Sequence, residues 1–128
     1  MNNERMRVSS TSKLIESLLV TGFPYNVRTN PENPVGHFVN FLYEGQAIRR
    51  LGSAALDLCY VAAGRFEGFW EVTLNPWDMA AGWLCVEEAG GKVTDLLGHP
   101  TTIYKRNILA TNGLVHDAMV EVLKRGMK

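Results

Sequence analysis

The chain has 128 residues, enough for one domain with a substantial core, and 46% of them are hydrophobic. Thirteen Lys and Arg balance thirteen Asp and Glu with no block of like charge, which argues against a nucleic-acid surface or a polybasic membrane patch and leaves acidic small molecules open as partners. No apolar run approaches a membrane span and "MNNERMRVSS" lacks the apolar centre of a signal peptide, so the expected setting is the cytoplasm.

The two cysteines, Cys59 and Cys85, lie in apolar helical runs without metal-ligand or redox spacing and read as small buried hydrophobes. In chain order, "SKLIES" predicts a turn of helix running into a strand near Leu18 to Thr21. After the turn-forming "NPENP", Asn33 can cap a helix with Pro34 at its first position. Val35, Phe38, Phe41 and Leu42 form its expected apolar stripe, and Gly45 ends it. "AIRRL" predicts a short strand, "SAALDLCYVAAG" a helix closed by Gly64, and "RFEGFWEV" an aromatic strand. Asn75 and Pro76 announce the next helix; "GKVTDL" and "NILATN" read as strands, and "LVHDAMVEVLKR" as a closing amphipathic helix with basic residues near its end. Strands alternating with helices predict an α/β fold, with a mainly parallel or mixed sheet flanked by helices.

In such a sheet ligands collect beyond the C-terminal strand ends, where loops lead into helix N-termini. Gly52, Ser53, Ala54 and Ala55 open a helix with little side-chain bulk, leaving N–H groups accessible to an anion or a hydroxyl. Ser53 as a plain N-cap before close helix packing is the alternative. At a second junction Glu71 ends the aromatic strand and Asp78 falls in the first turn of the following helix, so one loop carries two carboxylates to one rim. That pairing suits a cation or a polyol, although the helix macrodipole alone would account for Asp78, and an exposed strand end for Glu71. Because Asp78 sits between Trp77 and a helix apolar all round, its surroundings are expected to be dehydrated and its charge to want a partner. Glu87 and Glu88 lie where the helix dipole disfavours acids, and a salt bridge to Lys92 or Arg106 is expected. His37, His99 and His116 have no ligand spacing and are expected at the surface or in the core.

The stretch "WDMAAGWLCVEEAGG" closely resembles the C-terminal signature of the inositol monophosphatase family, W-D-x-A-A-G followed by an apolar run and E-A-G-G. The resemblance extends over almost the whole chain. "NNERMRVSS" is similar to the family's N-G-E-x-I-x-V-S strand, "LLVTGFPY" to the strand after it, and "RRLGSAALDLCYVAAGRFEGFWE" to the segment before the signature. It implies that Asp78 is a catalytic carboxylate, a Mg²⁺ ligand close to the ester side of the substrate. It further implies that Glu71 hydrogen-bonds a substrate hydroxyl and that Gly52, Ser53 and Ala54 line the substrate pocket.

The family's other metal ligands come from an N-terminal half, in a Gly-Glu-Glu motif and in Asp-Pro-Ile/Leu-Asp-Gly-Thr, and neither motif occurs in these residues. The resemblance therefore implies that residues 1–128 form a single domain, the C-terminal half of a layered αβαβα sugar-phosphatase fold without the N-terminal metal-binding half. The implied activity is Mg²⁺-dependent hydrolysis of a small phosphate monoester such as inositol 1-phosphate, by in-line attack of water on phosphorus, with this chain incomplete by itself. The expected partners are a small phosphorylated polyol and either the missing half or further copies of the chain. Two alternatives stand beside this one: a fragment acting as a binding or assembly module, and a related sugar bisphosphatase or nucleotide phosphatase sharing the W-D signature.

Overall fold

The computed structural model describes residues 5–127. A single 3-10 turn, Leu14–Glu16, leads into β1, Leu18–Thr21. Then come α1 (Pro34–Glu44), β2 (Ala47–Arg49), α2 (Ala54–Ala62), β3 (Gly68–Glu71), α3 (Pro76–Glu88), β4 (Lys92–Thr94), β5 (Ile108–Thr111) and α4 (His116–Arg125). The strands form one five-stranded sheet in the order β2-β1-β3-β5-β4. It is mixed: β1 runs parallel to β2 and β3, with Val20 opposite Arg49 and Phe69, while β5 is antiparallel to both β3 and β4.

Period-two alternation sends neighbouring strand residues to opposite faces, and both faces are covered, which is why the central strands read as continuous apolar runs. On one face Val20, Phe69, Ile108 and Ala110 pack with Leu58, Val61, Met79 and Val86 of α2 and α3. On the other, Leu19, Trp70 and Leu109 pack with Phe41 of α1 and with Met119 and Leu123 of α4. The rings of Trp70 and Phe41 meet with centroids 4.2 Å apart. Each such fully buried large side chain contributes roughly 1.5–3 kcal/mol of transfer free energy. The helices α2 and α3 approach closely at Gly82, where an added Cβ would lie 2.5 Å from the Cβ of Leu58.

Several expectations are corrected. On α1 the buried residues are Pro34, His37 and Phe41, whereas Val35 and Leu42 are 52% and 54% exposed. The helix docks on α4 through the His37 side, because His37 fits against Gly126, where a Cβ would meet its ring. Asn33 precedes α1 as expected, but it adopts a left-handed φ of 60° and makes no side-chain cap. Its amide instead donates to the Gly126 carbonyl at 2.7 Å, tying the start of α1 to the end of α4. Each strand after β1 is shorter than the stretch that predicts it, β2 by its last two residues and the others at both ends.

Residues 5–10, the described part of "NNERMRVSS", form no strand. They are held instead by isolated hydrogen bonds, Val8 N–H to the Ala89 carbonyl at 3.2 Å and the Asn112 amide to Ser9 Oγ at 3.0 Å and to the Ser9 carbonyl at 3.3 Å. Cys59 and Cys85 are half-buried, not buried, and face each other across α2 and α3. Among the described residues no helix is long and apolar enough to cross a membrane.

Candidate functional site

Because β1, β2 and β3 are parallel neighbours, their C-terminal ends open on one edge of the sheet, and the chain leaves them toward Gly22, Arg50 and Val72. Beyond that edge lies a cavity of about 1150 Å³. Its walls include every residue singled out in the sequence: Gly52, Ser53, Ala54, Glu71 and Asp78. The structure thus gathers one acid from the end of β3, one from the start of α3 and the turn into α2.

The turn is built for close approach. Gly52 takes a φ of +86°, a conformation that L side chains rarely adopt, and Ser53 follows as N-cap, its Oγ accepting from Leu56 N–H at 3.3 Å. The first-turn N–H groups of Ala54 and Ala55 have no acceptor within the helix, and both residues line the cavity. The capping role of Ser53 and the open turn therefore coexist.

Asp78 occupies the third position of α3, after Asn75 as N-cap and Pro76. Its Oδ2 accepts from the Asn75 N–H at 3.4 Å, so the carboxylate serves the helix start while still facing the cavity. Dehydration was the expectation; in fact Asp78 is half-buried beside a Trp77 that is 77% exposed. Only Met79, Gly82 and Val86 of α3 are buried, and its apolar outer face is open.

Glu71, by contrast, is 9% exposed, with its carboxyl against the backbone of Gly22. Burial first, and then the nearby charges of Asp57 and Asp78, push its pKa up to about 8 against the opposing pull of Arg50. A protonated carboxyl offers both an O–H donor and a lone-pair acceptor, the complement of a polyol hydroxyl. The surrounding backbone is pinned: Thr21 Oγ1 donates to the Trp70 carbonyl at 2.7 Å, Asn30 Nδ2 to Thr73 Oγ1 at 3.2 Å, and Leu74 N–H to the Arg106 carbonyl at 2.6 Å.

Three residues at or behind this cavity escaped the sequence reading. Asp57, in the first turn of α2, is 1% exposed with Oδ1 lacking a hydrogen-bond partner, and burial raises its pKa to about 6. Its signal was present, since it is the sole charge in "AALDLCYVAA". Arg50 and Arg106 line the cavity from segments distant in sequence, and no local pattern marks them. Glu87 and Glu88 form no ion pair with Lys92 or Arg106 among the described residues; Glu87 accepts from the Trp83 indole instead. His37 and His116 are buried core residues and His99 is exposed, all outside the cavity.

The profile of the inositol monophosphatase family matches residues 1–127. The chain belongs to the inositol monophosphatase family. It is 41% identical over 125 residues to an inositol-1-monophosphatase of Mesorhizobium japonicum, covering 98% of this chain and 47% of the relative. It is 46% identical over 123 residues to the Nus factor SuhB of Escherichia coli, covering 94% and 45%. The solved inositol monophosphatase of Anabaena (Nostoc) sp. superposes with a TM-score of 0.93 at 48% identity, over 97% of this chain and 49% of that one. The chain thus spans about half the length of the relatives it matches, and its mixed sheet flanked by helices is the corresponding part of the inositol monophosphatase fold.

Proposed function

We propose that this chain is the substrate-hydroxyl half of a phosphoric monoester hydrolase acting on an inositol 1-phosphate-like ester, with Mg²⁺ as cofactor. The observation that carries the reading is the convergence of Glu71, Asp78 and the turn Gly52–Ser53–Ala54 on one cavity at the ends of parallel strands. Asp78 supplies one carboxylate to the metal and to the ester side of the substrate. Glu71 holds and orients a ring hydroxyl, and the turn at Gly52 admits the polyol close to the backbone.

Mg²⁺ takes six oxygens in near-octahedral geometry, whereas among the described residues no group of three or more His, Cys, Asp or Glu could hold a metal ion. Asp78 alone therefore does not make a metal site, and in this reading the remaining ligands come from the other half. When bound, the metal would supply charge stabilisation and activation of water.

The surface for the other half is the outer face of α2 and α3, where Leu56, Trp77 and Leu84 are 53%, 77% and 61% exposed. In this reading residues 1–128 act as one domain in the cytoplasm, with no nucleic acid or membrane as partner. The test is phosphate release from inositol 1-phosphate by the chain combined with the N-terminal half of a family relative. Release by the mixture and by neither half alone supports the reading.

The same exposed face favours a second reading, a binding or assembly module without catalysis, and relatives named Nus factor SuhB are in keeping with it. A chain that binds a partner through α2 and α3 yet yields no phosphatase with any complementing half would favour this alternative.

A further inference from the structure

Asp57 is 1% exposed in the first turn of α2, and its Oδ1 has no hydrogen-bond partner. None of the ion pairs among the described residues includes it. A buried carboxyl in this state weakens the fold, which an apolar residue at the same position would not do. Capping does not account for it, since Ser53 already caps α2 and accepts from Leu56 N–H.

The topology brings this carboxyl to Glu71. Strand residues two apart share a face, so Glu71 points to the same side of the sheet as Phe69, the side that packs with Leu58 and Val61 of α2. Along α2, Ala54 lies one turn ahead of Asp57 on the same helix face, and the Cα–Cβ bond of Asp57 tilts back toward that turn. Ala54 and Glu71 both line the cavity, so the start of α2 and the end of β3 lie at one end of the sheet. Two carboxyls, 1% and 9% exposed, therefore share one space between strand and helix. In keeping with this, burial and then the charge of Asp57 lead the causes that raise the Glu71 pKa.

Two carboxyls in one buried space do not both ionise, and the proton they keep lets the O–H of one donate to an oxygen of the other. Glu71 lines the cavity, whereas Asp57 stands behind its wall. We infer that Asp57 is a positioning residue for Glu71: its Oδ1 accepts the Glu71 O–H, turning the remaining Glu71 oxygen to the cavity as the acceptor of a substrate hydroxyl. The inference rests on the proposed contact between Glu71 and a ring hydroxyl. It gives that contact a direction, with the substrate as donor.

The test is calorimetric titration of the 128-residue chain with inositol 1-phosphate in Mg²⁺ buffer, for D57N, D57L, D57A, E71A and D57L/E71A. D57N keeps an acceptor oxygen and should bind within about twofold of the unmodified chain. D57L and D57A lose that oxygen and should bind about fivefold more weakly, on the order of one neutral hydrogen bond. D57L/E71A should bind no more weakly than E71A, because Asp57 acts only through Glu71. In denaturant unfolding D57L is expected to lose no stability. Unchanged affinity in D57L and D57A beside a weakened E71A would overturn the inference and leave the proposed function standing. So would D57N as weak as D57L, or D57L/E71A weaker than E71A by the full D57L factor. Loss of stability in both D57L and D57A would assign Asp57 to the fold and overturn the inference too. No binding by the unmodified chain, or full affinity in E71A, would overturn the proposed role of Glu71 and this inference with it.

Discussion

The carboxyl of Glu71 rests on the backbone of Gly22: a Cβ added there would overlap Oε1 and stand 2.8 Å from Cδ. Strands β1 and β3 are parallel with Thr21 opposite Trp70, so the residues that follow, Gly22 and Glu71, meet at the sheet's end. Glycine at position 22 is what lets the acid lie along the cavity wall. Gly22→Ala should drive the Glu71 carboxyl off that wall. Losing one hydrogen bond between neutral groups costs about 0.5–1.5 kcal/mol, so inositol 1-phosphate should bind roughly twofold to tenfold more weakly. Titration calorimetry measures it, and unchanged affinity in Gly22→Ala would remove Glu71 from substrate binding.

Glu71 also makes stability fall with rising pH. Its pKa is raised from 4.5 to about 8 in the folded chain, so between those values the unfolded state has lost a proton that the folded state keeps. The folded state is then favoured at low pH and loses that advantage as pH climbs toward 8. Buried His116, whose pKa is lowered from 6.5 to about 4 by burial, acts in the opposite sense but only below pH 6.5. Metal-free denaturant unfolding between pH 6.5 and 8 should therefore show stability dropping by up to about 1.4 kcal/mol per pH unit. Glu71→Gln should flatten that slope. A slope that persists in the variant would assign it to another group.

The strands were legible where both faces are buried. "EGFWE" and "ILAT" read as strands because successive residues such as Phe69 and Trp70 are apolar toward two different helix layers. The face of α1 was not legible, since His37 counts as polar yet fits against Gly126, a contact between segments far apart in the chain. The cavity followed the same division. Glu71, Asp78 and the Gly52 turn stand at strand ends and helix starts, positions that local pattern marks. Arg50 and Arg106 become neighbours of that site only through the strand order. The roles given to Glu71 and Asp78 came from the W-D signature, because spacing alone left the macrodipole as a sufficient account of Asp78.

The two helical layers each leave apolar side chains open: Leu56, Trp77 and Leu84 on α2 and α3, and Val35, Val39, Leu42 and Tyr43 on α1. Exposed apolar surface on this scale drives association. In sedimentation velocity the chain by itself should run as a dimer or larger and should bind an apolar dye. Addition of the family's N-terminal half should lower dye binding by covering α2 and α3. A stable monomer without dye binding would contradict the view that this face has a partner.

In the proposed function, Asp78 and the cavity around it are half of a phosphatase site. The most direct measurement is phosphate release from inositol 1-phosphate across a Mg²⁺ titration, using the chain with a complementing N-terminal half, each half alone, and the same mixture carrying Asp78→Asn. Asparagine keeps the shape of the side chain and removes its charge. Mg²⁺-dependent release is expected from the mixture only, with a loss on the order of a hundredfold in Asp78→Asn, about 2.7 kcal/mol of transition-state stabilisation. Full activity in the Asp78→Asn mixture, or robust activity from the 128-residue chain by itself, would contradict it.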